Sequence, residues 1–94
     1  MPFPNYEGIP EHMRSGAKLY IDRGLPPGSF LRAVLENDLT GAAGRADDIN
    51  VARLLDWVMW LHSDIPGEAW GSPEKVNAWI VRGGMADDRK GINA

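Results

Sequence analysis

The sequence predicts an all-α fold: a single small domain of four to five short helices packed as a compact orthogonal bundle. Three observations predict it. Apolar residues recur at spacings of three and four along most of the chain. No stretch alternates polar and apolar residues as a half-buried strand does. Proline, glycine and helix-capping residues punctuate the chain at short intervals.

Residues 1–8 contain two prolines and a glycine and read as an extended N-terminal arm, the helical domain occupies residues 9–84, and residues 85–94 read as a flexible tail. Pro10 suits the first turn of a helix, where its missing N–H costs nothing. Met13, Ala17, Tyr20 and Ile21 then follow at helical spacing, and Gly24 can close that helix in the left-handed region. Leu25-Pro26-Pro27-Gly28-Ser29 is a rigid turn, because each proline fixes φ. Pro27 or Ser29 opens a second helix carrying Phe30, Leu31, Val34 and Leu35, and Asp38 caps a third from Leu39 to Ala46.

Asp47 or Asp48 caps the longest expected helix, Ile49 to His62. Its apolar stripe runs through Val51, Leu54, Leu55, Val58, Leu61 and Ile65, and Trp57, Met59 and Trp60 widen it until the second half is apolar nearly all round. A helix of that kind belongs at the centre of a core. Pro66-Gly67 stops it. Ser72-Pro73-Glu74 is the sharpest start signal in the chain: a capping hydroxyl, a proline at the first helical position, and a carboxylate at the positive end of the dipole. The last helix presents Val76, Trp79 and Ile80 and ends at Gly83-Gly84.

With 94 residues, 44% hydrophobic and 24% charged, the chain supports one core and is not disordered in composition. It has no cysteine, so disulfides and thiolate metal sites are excluded. No apolar run approaches the roughly 20 residues that span a bilayer, and MPFPNYEGIP lacks a signal-peptide pattern. No membrane association is expected. The net charge of −3 opposes duplex binding through a basic face and leaves a protein as the simplest partner.

Nothing in the chain forms a catalytic pattern. His12 and His62 are fifty residues apart, and no spacing ties them to Glu11 or Asp64 as a metal set. The carboxylate pairs Glu36 with Asp38, Asp47 with Asp48 and Asp87 with Asp88 sit where caps and solvated faces occur, whereas acid–base catalysis needs two carboxyls in different environments facing one pocket. No catalytic residue, cofactor site or metal site is expected, and the chain is not read as an enzyme.

Trp57 and Trp60, three residues apart, are expected in the core together with Trp79. Trp70 differs: it lies in a glycine-flanked loop, free either to close the core or to anchor a partner. Asn37 and Asp38 stand between two helices near the Arg45-Ala46-Asp47 junction. Capping is their ordinary role, and a tie from Arg45 to Asp38 or Asp47 would support it. The functional alternative is that Asn37, Asp38 and Arg45 meet a partner beside Trp70, the aromatic anchor that interfaces favour.

Several landmarks together resemble a family of small uncharacterised proteins encoded by tailed phages and prophages. They are Ile9-Pro10-Glu11-His12, Gly24 to Leu31, Ala33 to Leu39, Arg45-Ala46-Asp47, and Trp70 to Val76 with Trp79. The resemblance implies a context rather than a reaction: an accessory protein in the cytoplasm of a bacterial host, binding and modulating a host protein of defence or transcription. A nucleic-acid-associated module, with Arg14, Lys18 and Arg23 as a basic strip, is the second reading. A binder of a small signalling nucleotide is the third, and self-association is compatible with all three.

Overall fold

In the computed structural model, which describes residues 5–85, every regular element is helical. Residues 1–4 of the expected arm, and the expected tail from residue 86 onward, lie outside the described residues. A 3-10 turn, Glu11–Met13, leads from Pro10 into α1, Arg14–Arg23. Gly24 ends α1 at φ 69°, and its N–H donates to the Tyr20 carbonyl at 2.8 Å. The rigid Leu25–Gly28 turn delivers α2, Ser29–Leu35.

The end of α2 and the start of α3, Leu39–Arg45, share one junction. Asn37 is left-handed at φ 65°. Its N–H donates to the Val34 carbonyl at 3.1 Å, and the Asp38 N–H donates to the Ala33 carbonyl at 2.9 Å. That pair of bonds closes a helix C-terminus, and asparagine tolerates the left-handed conformation better than most residues do. The Asp38 carboxylate then accepts from the Gly41 N–H at 2.9 Å and opens α3.

Asp47 caps α4, Asp48–Ala52, by accepting from the Asn50 N–H at 2.7 Å. The long helix expected from Ile49 to His62 is interrupted. Arg53 leaves helical geometry at φ −114°, ψ 25°, and α5 restarts as Leu54–Asp64. The count is therefore six α-helices among the described residues rather than four to five. Next to the break, the buried Asn50 side chain accepts from the Trp57 indole N–H at 3.2 Å. A second 3-10 turn, Gly67–Ala69, precedes α6, Pro73–Arg82. There the Ser72 hydroxyl accepts from the Lys75 N–H, Pro73 takes the first position, and Gly83 terminates the helix at φ 88°.

The centre of the core is α2, not the tryptophan-bearing helix. Five of its seven residues are buried, and it meets α3, α5 and α6. Around it gather Tyr20 and Ile21 of α1, Trp57 and Trp60 of α5, and Val76 and Trp79 of α6. The rings of Trp57 and Trp60 stand perpendicular at 5.5 Å, and Phe30 meets Trp57 edge-on at 5.4 Å. These are the offsets that aromatic quadrupoles prefer.

Every indole in this core has an acceptor. Trp60 donates to the Asn5 carbonyl and Trp79 to the Tyr20 carbonyl, both at 2.9 Å. The Tyr20 hydroxyl donates to the Ala69 carbonyl at 2.6 Å, and burial raises its phenol above the ordinary range. Residues 5–9 take part as well. Instead of running extended they turn at Glu7-Gly8, lay Tyr6 against Trp60 at 6.2 Å, and insert Ile9 completely. No helix of the described residues is long and apolar enough to cross a membrane.

Candidate functional site

Helix α5 has two apolar sides, and only one is covered. Trp57, Trp60 and Leu61 point inward and are buried. Leu55, Val58, Met59 and His62 follow at i, i+3, i+4 and i+7, the spacing that places residues along a second strip of the same helix. Leu55 is 72% exposed and Met59 55%, with Val58 half-buried between the strip and the core. The expected stripe is therefore displaced: Leu61 and Ile65 are inside, Leu54 and Val58 are half-buried, and Val51 and Leu55 are outside. The two indoles have the largest apolar areas on this helix, so their burial sets its rotation.

Beside the strip lies an apolar groove between α3 and α5. Leu39 and Ala42 line one wall, Leu54 and Val58 the other, and Trp57 and Leu61 lie beneath. Leu39 is itself 64% exposed. The polar members of the lining are Asn37 and Asp38. Strip and groove adjoin at Val58, which belongs to the strip and lines the groove.

The structure places the four sequence-derived candidates around this surface in different ways. Asn37 and Asp38 are exposed at the groove, although both also serve the α2–α3 junction. Asp38 is shared with an adjoining polar cleft that contains Arg32, Glu36 and Arg45. Arg45 does not tie the junction by an ion pair with Asp38 or Asp47. Its guanidinium turns back to donate to the Gly41 carbonyl at 3.2 Å, while Asp47 pairs with His12 at 2.9 Å. Trp70 is half-buried, and the next residue joins the end of α2, with the Gly71 N–H donating to the Leu35 carbonyl at 2.7 Å. Its ring meets His62 edge-on at 5.4 Å, so it borders the far end of the α5 strip. Trp57, Trp60 and Trp79 spend their indole N–H groups inside the fold. That of Trp70 makes no hydrogen bond among the described residues.

Leu39, Leu55, Val58 and Met59 are the surface residues that the sequence reading missed as a site. The signal lies in the sequence, since the second half of the expected Ile49–His62 helix is apolar nearly all round, but full encirclement is equally the mark of central burial. His12 and His62 serve separate places, one at Asp47 and the other at Trp70. No three His, Asp or Glu side chains among the described residues gather as a metal set. The basic strip on α1 is depleted, because Arg14 donates to the Ile9 carbonyl at 3.0 Å and the Glu7 carbonyl at 3.1 Å.

The Asn50 N–H and then the His12 side chain favour the ionised form of Asp47 and lower its pKa. A carboxyl lowered on folding contributes stability above the ordinary carboxylate range and loses it as pH falls through the folded value. The melting temperature of the native chain is thus expected to drop more steeply on acidification below about pH 4 than that of Asp47→Asn, which retains a capping oxygen. Parallel slopes in thermal melts across this range would refute the assignment.

Comparison with protein-family models, characterised proteins and solved structures gave no match, so the reading of this surface rests on its own residues and geometry.

Proposed function

We propose that this chain is a non-catalytic interaction module, a small phage or prophage accessory protein that docks on a protein of its bacterial host. The observation that carries the docking is the uncovered apolar strip of α5, with Leu55 and Met59 presented side by side next to the α3–α5 groove. Scattered exposed leucines are ordinary, whereas a contiguous apolar surface with a polar rim is characteristic of binding sites. Methionine suits such a surface because its unbranched side chain adapts to the shape it meets. Asn37 and Asp38 supply polar rim groups, and Trp70 supplies an aromatic edge. Phage origin, the host partner and action in the host cytoplasm come from the family resemblance, and the surface supplies the means.

The test is capture from a bacterial lysate followed by rebinding of the purified captured protein. Leu55→Ser combined with Met59→Ser is expected to abolish rebinding without lowering the melting temperature, since both side chains are largely outside. Trp70→Ala is expected to weaken rebinding. Cross-links from the partner should fall on α3, α5 and the Trp70 loop. Rebinding that is indifferent to the serine pair, or cross-links confined to α1 and α6, would overturn the proposal.

A further inference from the structure

We infer that the element docking on this surface is an amphipathic helix of the partner, with apolar anchors laid along the exposed α5 strip beside the small α3–α5 groove and lysine or arginine along its flanks. The inference rests on the interaction-module reading and specifies the chemistry of its partner.

Backbone chemistry selects a helix. The described residues contain no strand, so no sheet edge is present to pair with an extended peptide. An extended segment pressed into the groove would bring its own N–H and C=O groups against Leu39, Ala42, Leu54 and Val58. Those side chains accept and donate nothing, and an unpaired buried backbone group costs about 1–3 kcal/mol. A helix bonds its backbone internally and presents only side chains. The receiving surface has matching spacing: the apolar side chains of α5 stand one helical turn apart and leave intervals into which another helix's ridge fits. The 11 residues of α5 run for about 16 Å, enough for about three turns of an occupant.

Charge selects a cationic occupant. Residues 36–64, which include all of α3, α4 and α5, carry six carboxylates against two arginines and no lysine. Arg53 is neutralised in an ion pair, and Arg45 keeps its charge but directs it back along α3. Arg45 is folded onto Gly41, while Arg53 pairs with Asp56 at 2.8 Å and donates to the Gly8 carbonyl. Asp38 stands at the groove beside a cleft that also holds Arg32 and Arg45, and Asp56, next to Leu55, is already paired with Arg53. The acidity of this face is therefore the net excess of the segment rather than either carboxylate alone. A cationic flank meets a complementary field on approach and on docking.

The same field argues against a second copy as the occupant. Two-fold pairing through this surface would set one acidic α3–α5 face against another, a like-charge juxtaposition that interfaces avoid.

The test uses two synthetic helix-forming peptides with the same leucine positions, one with lysine and the other with glutamate at the remaining sites. Binding to the full chain is followed by two-dimensional NMR. The lysine peptide is expected to bind at least about tenfold more tightly at low salt, with shifts centred on Leu39, Leu55, Val58 and Met59, and to lose most of that preference at high salt. Asp38→Asn with Asp56→Asn should reduce the preference several-fold, with the Asp38 cap retained by asparagine. Leu55→Ser with Met59→Ser should abolish binding of the lysine peptide, which separates docking from unspecific charge attraction.

Equal binding of the two peptides, or lysine binding that survives the serine pair, would overturn the inference. So would concentration-dependent dimerisation of the chain abolished by the serine pair, which would make a second copy the occupant. If lysate capture depends on the strip while the lysine peptide shows no preference, the interaction-module reading stands and this inference alone falls.

Discussion

Alanine at position 84 is expected to destabilise the fold by roughly 2–5 kcal/mol, a large part of what a domain of this size possesses. Gly84 is buried and left-handed at φ 71°, and it faces the buried Gly24 at φ 69°. A Cβ on Gly84 would lie 2.6 Å from the Gly24 nitrogen, 2.7 Å from the Ile21 carbonyl oxygen and 2.8 Å from the Arg23 nitrogen. All three are backbone atoms at the end of α1, so no side chain can rotate away to make room. The left-handed conformation alone costs alanine about 1–2 kcal/mol, and overpacking adds about 1–3.

Gly24→Ala meets the reciprocal obstruction, with the Gly84 nitrogen at 2.8 Å and the Gly83 carbonyl carbon at 2.9 Å. The double variant should cost less than the two single changes combined, because both remove one shared contact. Gly16→Ala is the control. It is helical and exposed, with nothing near its would-be Cβ, so it should be neutral or stabilising by up to about 1 kcal/mol. Urea melts measure all four. A native-like midpoint for Gly84→Ala would exclude this close approach of the α1 and α6 ends.

Local chemistry made much of this fold legible. Ser72-Pro73-Glu74 starts α6, Gly24 ends α1 and Asp38 starts α3, because each signal acts within a few residues and needs no distant partner. The break at Arg53 was not legible. No glycine or proline marks it, and the buried Asn50–Trp57 bond beside it is a tertiary arrangement rather than a propensity. The clamp on residues 5–9 was hidden for a related reason: Trp60 finds the Asn5 carbonyl and Arg53 finds the Gly8 carbonyl across long separations in sequence.

At the candidate site, Asn37 and Asp38 were legible as polar residues at a helix junction. The neighbouring ridge was not. Periodicity places Leu54, Leu55, Val58 and Met59 on the surface of one helix, but it does not say which of them the rest of the chain covers. That is decided by tertiary packing: Leu54 and Val58 line the groove with Leu39 and Ala42 of α3, whereas Leu55 and Met59 do not. The charge field is the reverse case. It is readable from residues 36–64 by inspection, yet it acquires meaning only once an uncovered apolar strip lies within it.

Trp57→Ala is expected to cost roughly 3–5 kcal/mol, the range for removing a buried aromatic without collapse of the site. Trp57 is completely buried and holds three neighbours at once: Phe30 of α2 and Trp60 of its own helix through ring contacts, and Asn50 of α4 through its indole N–H. Truncation leaves a cavity against α2, the most buried helix, and strands the Asn50 side-chain oxygen in an apolar surrounding. Trp57→Phe separates these effects. It retains much of the ring volume but loses the donor, so it should fall between the native chain and the alanine variant. Asn50→Leu removes the acceptor instead, leaving a buried indole N–H that costs about 1–3 kcal/mol. Combined with Trp57→Phe, the same leucine should cost less than the two changes summed, since no unpaired polar partner then remains. Strict additivity in chemical denaturation would mean that the Asn50–Trp57 bond does not couple α4 to α5. The alanine variant also bears on docking, because Trp57 lies beneath the α3–α5 groove. Rebinding should weaken in Trp57→Ala even where the chain is still folded, whereas Trp79→Ala, remote from the groove lining, should lose stability while its folded fraction binds normally.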